Sequence, residues 1–194
     1  MTLTAVLFVG GLSRRMGADK ALIEIAGQPL WARQINLLRE FQPQSLWVSA
    51  RTRPAWCPAE IELVLDASPS HGPLSGLVAA LDRLQTSHLL ALAIDLPRMT
   101  VAELRKLWAM ARPGLGIIPV NGKNFEPLCA IYPAEAAGPA ASALAGNNLS
   151  LQKLSRSLLR ANCIRTHALT EDEKPLFLNA NSPADLQSLP PLIS

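Results

Sequence analysis

Leu3 to Val9 is a seven-residue, mostly apolar run rich in β-formers that ends at Gly10-Gly11, the pattern of a buried parallel strand followed by a turn. Similar runs recur at Ser45 to Ala50, Glu62 to Asp66, His88 to Asp95, Leu115 to Val120 and Leu128 to Tyr132. Between several of them, Pro29 to Phe41, Leu74 to Leu84 and Thr100 to Met110 place apolar residues three and four apart, as one face of a helix requires. This alternation predicts an α/β layer fold with a mostly parallel sheet. Pro29 suits a first helical turn, Thr100 with Glu103 has the form of a capping box, and Ser182-Pro183 with Asp185 opens a last short helix. Glu135 to Leu158 is Ala-rich and reads as helical, broken around Gly146-Asn147-Asn148. No internal repeat or linker interrupts the pattern, so one domain over residues 1–194 is expected.

Composition narrows the class. Of the 194 residues 49% are hydrophobic and 17% charged, which excludes a disordered or collagen-like chain. The net charge of +3 is too small for a protein that coats nucleic acid, and Trp31, Trp47, Trp56 and Trp108 form no aromatic-basic stripe. No apolar run approaches the roughly 20 residues of a membrane helix. The opening Met1-Thr2-Leu3-Thr4-Ala5 lacks the basic region of a signal peptide, so a cytoplasmic location is expected, with neither nucleic acid nor membrane as partner. Cys57, Cys129 and Cys163 are odd in number and widely spaced, and His71, His88 and His167 are scattered, which argues against a disulfide framework or a zinc site.

The chemistry concentrates after the first strand, in Gly10-Gly11-Leu12-Ser13-Arg14-Arg15-Met16-Gly17-Ala18-Asp19-Lys20. Glycines let backbone amides approach a ligand closely, a hydroxyl adds a donor, and three cations supply charge, which together make a phosphate cradle. It is neither a Walker loop nor GxGxxG. A plain surface turn has similar composition, but adjacent cations in a glycine loop repel unless an anion joins them.

The order Gly-Gly-x-Ser-Arg-Arg-Met-Gly-x-Asp-Lys-Ala-Leu, followed by Gly27-Gln28-Pro29-Leu30, closely resembles the signature of Rossmann-like nucleoside-triphosphate transferases, in particular the molybdenum cofactor guanylyltransferases. Further stretches resemble the same family in order: Asp66 with Gly72-Pro73-Leu74-Ser75-Gly76-Leu77, Ile94-Asp95-Leu96-Pro97, Asn124 to Tyr132, and Phe177-Leu178-Asn179-Ala180-Asn181-Ser182-Pro183. The resemblance implies a three-layer nucleotidyltransferase fold, with residues 1–110 binding nucleotide and 111–194 the acceptor. It implies that Gly10, Gly11, Leu12, Ser13, Arg14, Arg15, Gly17, Lys20, Asp66, Gly72, Pro73 and Asp95 bind the nucleotide. Arg15, Lys20 and Asp95 would be catalytic, Asp95 and Asn181 would hold Mg²⁺, and Glu126, Asn179 and Asn181 would meet the acceptor.

The implied reaction joins GMP from GTP to molybdopterin and releases pyrophosphate, with transient contacts to molybdenum insertion proteins and recipient molybdoenzymes. The chain departs from the family pattern twice. Phe8-Val9 replaces a usual Leu-Ala, and Ser49-Ala50-Arg51-Thr52 stands where an Asn near the base is usual. The Gly10-Gly11 pair favours guanine, since the related cytidylyltransferases carry Ala-Gly. A CTP-using relative, a transferase acting on a sugar phosphate or other small phosphate, and a nucleotide-binding regulator without turnover are the other readings. Taken without the resemblance, Asp95 and Asp66 are also ordinary turn or helix caps, and Asn179 and Asn181 ordinary turn residues.

Overall fold

The computed structural model describes residues 1–9, 19–66, 72–146 and 149–180. In chain order the strands are β1 (Leu3–Phe8), β2 (Glu24–Ile25), β3 (Gln28–Pro29), β4 (Ser45–Ala50), β5 (Glu62–Leu65), β6 (His88–Ala93), β7 (Gly116–Asn121), β8 (Asn124–Phe125), β9 (Cys129–Pro133) and β10 (Ile164–Ala168). The α-helices are α1 (Leu30–Phe41), α2 (Pro73–Asp82), α3 (Val101–Met110), α4 (Ala137–Ala145) and α5 (Leu151–Arg160). One sheet runs β10-β7-β9-β6-β1-β4-β5, with β8 paired to β7. The pairs β1/β4, β1/β6, β4/β5 and β10/β7 are parallel, whereas β9 is antiparallel to both β6 and β7. Among the described residues no helix is long and apolar enough to cross a membrane.

The central strands are apolar without alternation because both faces are covered. In β1, Leu3, Ala5 and Leu7 face one core with Leu30, Ile35 and Leu38 of α1 and Leu104 and Leu107 of α3. Val6 and Phe8 face the other, with Leu74, Leu77 and Ala80 of α2, Ala140 of α4 and Leu154 and Leu158 of α5. Three layers result, as α/β packing requires.

Several boundaries differ from the sequence reading. Pro29 is paired in the β2/β3 hairpin and is the N-cap residue of α1, which starts at Leu30. Asp66 and Asp95 lie just past β5 and β6, in the turns at the strands' carboxyl ends. The Ala-rich stretch is two helices, as the break expected around Gly146 implies, the second capped by Ser150 Oγ accepting from the Lys153 N–H at 3.3 Å. The segment proposed as a helix at Pro183 lies outside the described residues. Thr100 caps α3 by accepting from the Glu103 N–H at 3.2 Å, as a capping box requires. The Glu103 carboxylate does something else, since its Oε1 is buried with no hydrogen-bond partner. His88 is a fully buried core residue: its ring sits between Ser87 Oγ and the Arg112 carbonyl, both at 3.0 Å, with Trp108 edge-on.

Candidate active site

Parallel strands β6, β1, β4 and β5 end along one edge of the sheet, and the sequence-predicted residues among those described gather there. Val9 closes β1 by donating its N–H to the Ser49 carbonyl (3.1 Å), and the Ile94 N–H donates to the Phe8 carbonyl (3.0 Å). The glycine-rich loop therefore departs between two strands, where α/β folds bind ligands. Gly10, Gly11, Leu12, Ser13, Arg14, Arg15 and Gly17 themselves lie outside the described residues.

The loop is anchored where it rejoins the body. Asp19 Oδ1 accepts from the Ala21 N–H (3.0 Å), which caps the 3₁₀ turn Lys20–Leu22, and Oδ2 accepts from Trp56 Nε1 (3.0 Å). Trp56 is itself stacked on Trp31, with ring centroids 5.4 Å apart. Lys20, which follows immediately, points its ammonium at Asp95, with Nζ 3.6 Å from Oδ2.

Asp95 occupies a turn held from below by α1. Buried Gln34 donates Nε2 to the Leu96 carbonyl at 2.7 Å and, more weakly, to Ile94 at 3.4 Å. Arg33 donates to the Pro97 carbonyl at 2.9 Å. The Asp95 carbonyl accepts the Ala180 N–H at 2.9 Å, which draws the C-terminal segment to the same turn. Asn179, next to it, is exposed, and Asn181 lies outside the described residues.

Glu126 faces this turn from the β8–β9 connection. Its backbone N–H donates to Pro119, Tyr132 donates its hydroxyl to the Pro127 carbonyl at 2.7 Å, and Gln152 of α5 clamps both backbone groups of Phe125. Burial first, and then the Asp95 charge, push the Glu126 carboxyl from its ordinary 4.5 up to about 7. The Glu126 carboxylate thus lies within electrostatic reach of Asp95, which also has the Lys20 ammonium close by, and a hard divalent cation takes oxygen ligands of the kind Asp95 offers.

A second cluster lies under β1, β4 and β5. Ser49 Oγ is 3.5 Å from Asp66 Oδ1, and the Asp66 N–H donates to the Ala50 carbonyl at 3.2 Å. Gly72 precedes α2 with φ +79° and Pro73 takes its first turn. A Cβ at Gly76 would lie 2.5 Å from Ser49 Oγ, 2.9 Å from Asp66 Oδ1 and 3.2 Å from Phe8 Cε1, so glycine leaves room for these side-chain ends, which a larger residue would have to displace. The two departures from the family pattern, at Phe8 and Ser49, therefore meet Asp66 at one spot. Gln34, the Asp19–Trp56 bond and Gly76 also shape the site, and sequence reasoning missed them. The signals for Asp19 and Gly76 lay inside motifs already noticed, whereas nothing in the sequence marked Gln34.

Fold and site define a class, an α/β protein whose Lys20–Asp95 pair and Glu126 gather at the carboxyl edge of its parallel strands. The chain belongs to the MobA-like NTP transferase domain family, whose profile matches residues 5–166. It is 33% identical over 186 residues to a probable molybdenum cofactor guanylyltransferase of Opitutus terrae, covering 94% of this chain and 92% of the relative. It is 32% identical to the molybdenum cofactor guanylyltransferase of Xanthomonas euvesicatoria, covering 93% and 90%. Among solved structures, molybdopterin-guanine dinucleotide biosynthesis protein A from Archaeoglobus fulgidus has the same fold, with a TM-score of 0.73 at 22% identity and 95% of each chain covered.

Proposed function

We propose that this chain transfers GMP from GTP to molybdopterin, forming the guanine dinucleotide cofactor and releasing pyrophosphate. The observation that carries the reading is the Lys20–Asp95 pair at 3.6 Å beside Glu126. The names of the relatives above and the Gly10-Gly11 pair support guanine as the base.

A phosphate oxygen of molybdopterin attacks the α-phosphorus of GTP, a new P–O bond forms, the bond to the β-phosphate bridging oxygen breaks, and that oxygen leaves on pyrophosphate. Such a transfer needs positioning and charge stabilisation more than covalent help. In this reading the loop amides with Ser13, Arg14 and Arg15 hold the triphosphate, and Lys20 sets the α-phosphate against Asp95. Asp66 and Ser49 take the nucleoside side, with Gly72 and Pro73 shaping the entry to α2. Glu126 and Asn179 border the acceptor.

Asp95 would hold Mg²⁺, with Asn181 as a second ligand, and the ion when bound supplies neutralising charge at the transferring phosphate. The electrostatic influence of Asp95 on Glu126, which a cation would relieve, supports that assignment. The free thiols of Cys57, Cys129 and Cys163 are in keeping with a cytoplasmic setting. Handover from molybdenum insertion proteins and to recipient molybdoenzymes belongs to the same proposal.

The test is thermal unfolding with Mg²⁺ and GTP, CTP, ATP or UTP, since a ligand at 100 times its Kd stabilises by about 2.7 kcal/mol. A rise with GTP alone, followed by molybdopterin-dependent pyrophosphate release that Asp95→Ala abolishes, is the expected result. A rise with CTP instead overturns the choice of base, and unchanged turnover in Asp95→Ala overturns the role of that carboxylate.

A further inference from the structure

A second group of ligating side chains assembles away from the Lys20–Asp95 pair, from three elements far apart in sequence. Glu103 comes from the first turn of α3, His167 from β10, and Glu173 from the residue before the 3₁₀ turn Lys174–Phe177. One ligand atom from each lies within 4.8 Å of the other two. The His167 Nε2 is 3.1 Å from both Glu173 oxygens, and Glu173 Oε2 also accepts the Thr170 N–H at 2.8 Å.

Both acids are interior, with Glu103 6% and Glu173 5% exposed. Glu173 is fully engaged, but Glu103 Oε1 is buried and has no hydrogen-bond partner. A buried carboxylate oxygen left in this way is costly unless a cation or a donor meets it. A nearby cation is Lys106, whose ammonium contacts Glu173 Oε1, and whose side chain is 43% exposed. When both acids are ionised, two carboxylates against one ammonium leave one negative charge in excess, which burial disfavours at Glu103 and which a divalent ion in place of that ammonium would balance.

We propose that Glu103, His167 and Glu173 form a binding site for one divalent transition-metal ion of the zinc type, with Lys106 as the group that withdraws when the ion enters. One imidazole nitrogen and two carboxylate oxygens are a zinc-like donor set, with water free to complete the tetrahedron. The nitrogen ligand disfavours Mg²⁺ and Ca²⁺, which take oxygen. Burial, and then the Lys106 charge, lower the His167 pKa, which favours the neutral ring that a metal needs. On binding, the ring nitrogen facing Glu173 gives up any proton it carries to solvent or to the other ring nitrogen. The ion ties α3 to the edge strand β10 and to the segment that leads to Ala180, whose N–H meets the Asp95 carbonyl.

The test uses purified, chelator-treated full-length protein titrated with Zn²⁺ by calorimetry and with Co²⁺ by visible absorption. One Co²⁺ per chain with the d–d absorption of a four- or five-coordinate ion, displaced by Zn²⁺ and raising the melting temperature, is expected. Affinity falls at least about tenfold in His167→Ala and Glu103→Gln, rises in Lys106→Ala, and is retained in Asp95→Ala, which separates this site from the phosphate site. Absence of Zn²⁺ and Co²⁺ binding in the unsubstituted protein overturns the proposal. So do unchanged affinity in His167→Ala and a Co²⁺ spectrum with thiolate charge-transfer bands, which would put the ion on a cysteine. If Glu103→Gln fails to fold, the Co²⁺ spectrum of the unsubstituted protein and the His167→Ala titration still decide.

Discussion

Glu126→Gln isolates the electrostatic tension at the candidate active site. Burial and the Asp95 charge raise the Glu126 carboxyl from 4.5 to about 7, so the folded chain holds this proton more tightly than the unfolded chain does. The ionised form therefore opposes folding. By linkage, its penalty is negligible well below pH 4.5, grows as the pH rises through the interval from 4.5 to about 7, and is constant above it. At 1.36 kcal/mol per pKa unit the undamped penalty is about 3 kcal/mol. Glu126 is only half-buried, and solvent screening brings this to about 1–2 kcal/mol. Gln keeps the shape and carries no charge, so in chelator-treated protein at pH 8 the variant should melt about 2–8 °C above the parent. At pH 5 less than half of that difference should remain. Mg²⁺ at pH 8 should narrow the gap by stabilising the parent more than the variant. Thermal unfolding by circular dichroism at both pH values checks this. A difference that does not change with pH, or a variant less stable at pH 8, would refute the account of the Asp95–Glu126 pair.

Two glycines give opposite outcomes for the same added methyl group. At Gly116 a Cβ would lie 2.0 Å from the Ile131 carbonyl oxygen, which is backbone in the paired strand β9, so Gly116→Ala should cost at least about 3 kcal/mol in urea unfolding. A loss under about 1 kcal/mol would show that β9 can shift. At Gly76 the nearest atoms are the ends of Ser49 and Asp66, which can swing, and alanine favours the helix by about 1 kcal/mol. Gly76→Ala should leave stability within about 1 kcal/mol while weakening GTP about tenfold by calorimetry, and an unchanged Kd would remove Asp66 and Ser49 from the nucleotide site. Gln34→Ala strips the Leu96 and Ile94 carbonyls of a buried donor and should cost about 1–3 kcal/mol. Because those carbonyls flank Asp95, turnover should fall with little change in nucleotide affinity, and equal losses in both would argue that α1 acts only through global stability.

Much of this was legible in the sequence because buried parallel strands and phosphate loops each demand particular residue types. Leu3 to Val9 reads as a buried strand, and the glycine-rich, cationic sequence after it has the residue types that suit an anion. Direction of pairing was not legible. Cys129–Pro133 is as continuously apolar as the parallel strands, since it too is covered on both faces, and periodicity carries no sign for an antiparallel insertion between β6 and β7. β10 was missed for the opposite reason: as an edge strand it buries only Ile164, and Ile-Arg-Thr-His-Ala offers no apolar face to count. The two-residue strands of the β2/β3 hairpin are too short for any period, although Ala26 and Gly27, both at positive φ, form its turn.

The same division separates the groups that would do chemistry from the groups that hold them. Lys20, Asp95 and Glu126 stand in recognisable motifs, as residues that serve a phosphate reaction in the proposed function would. Gln34 is an ordinary amide on a helix, and it matters only because α1 crosses beneath the turn at Leu96. Glu103 looked like one half of a capping box, and only the fold reveals that its carboxylate lies beside His167 of β10 and Glu173 of the segment that follows it. Local sequence thus reports a side chain's nearest backbone duty and is silent on any second one imposed by a strand some sixty residues later. Residues with two such duties are the places where a metal or ligand can enter without leaving a motif behind, because each ligand is already accounted for by something local.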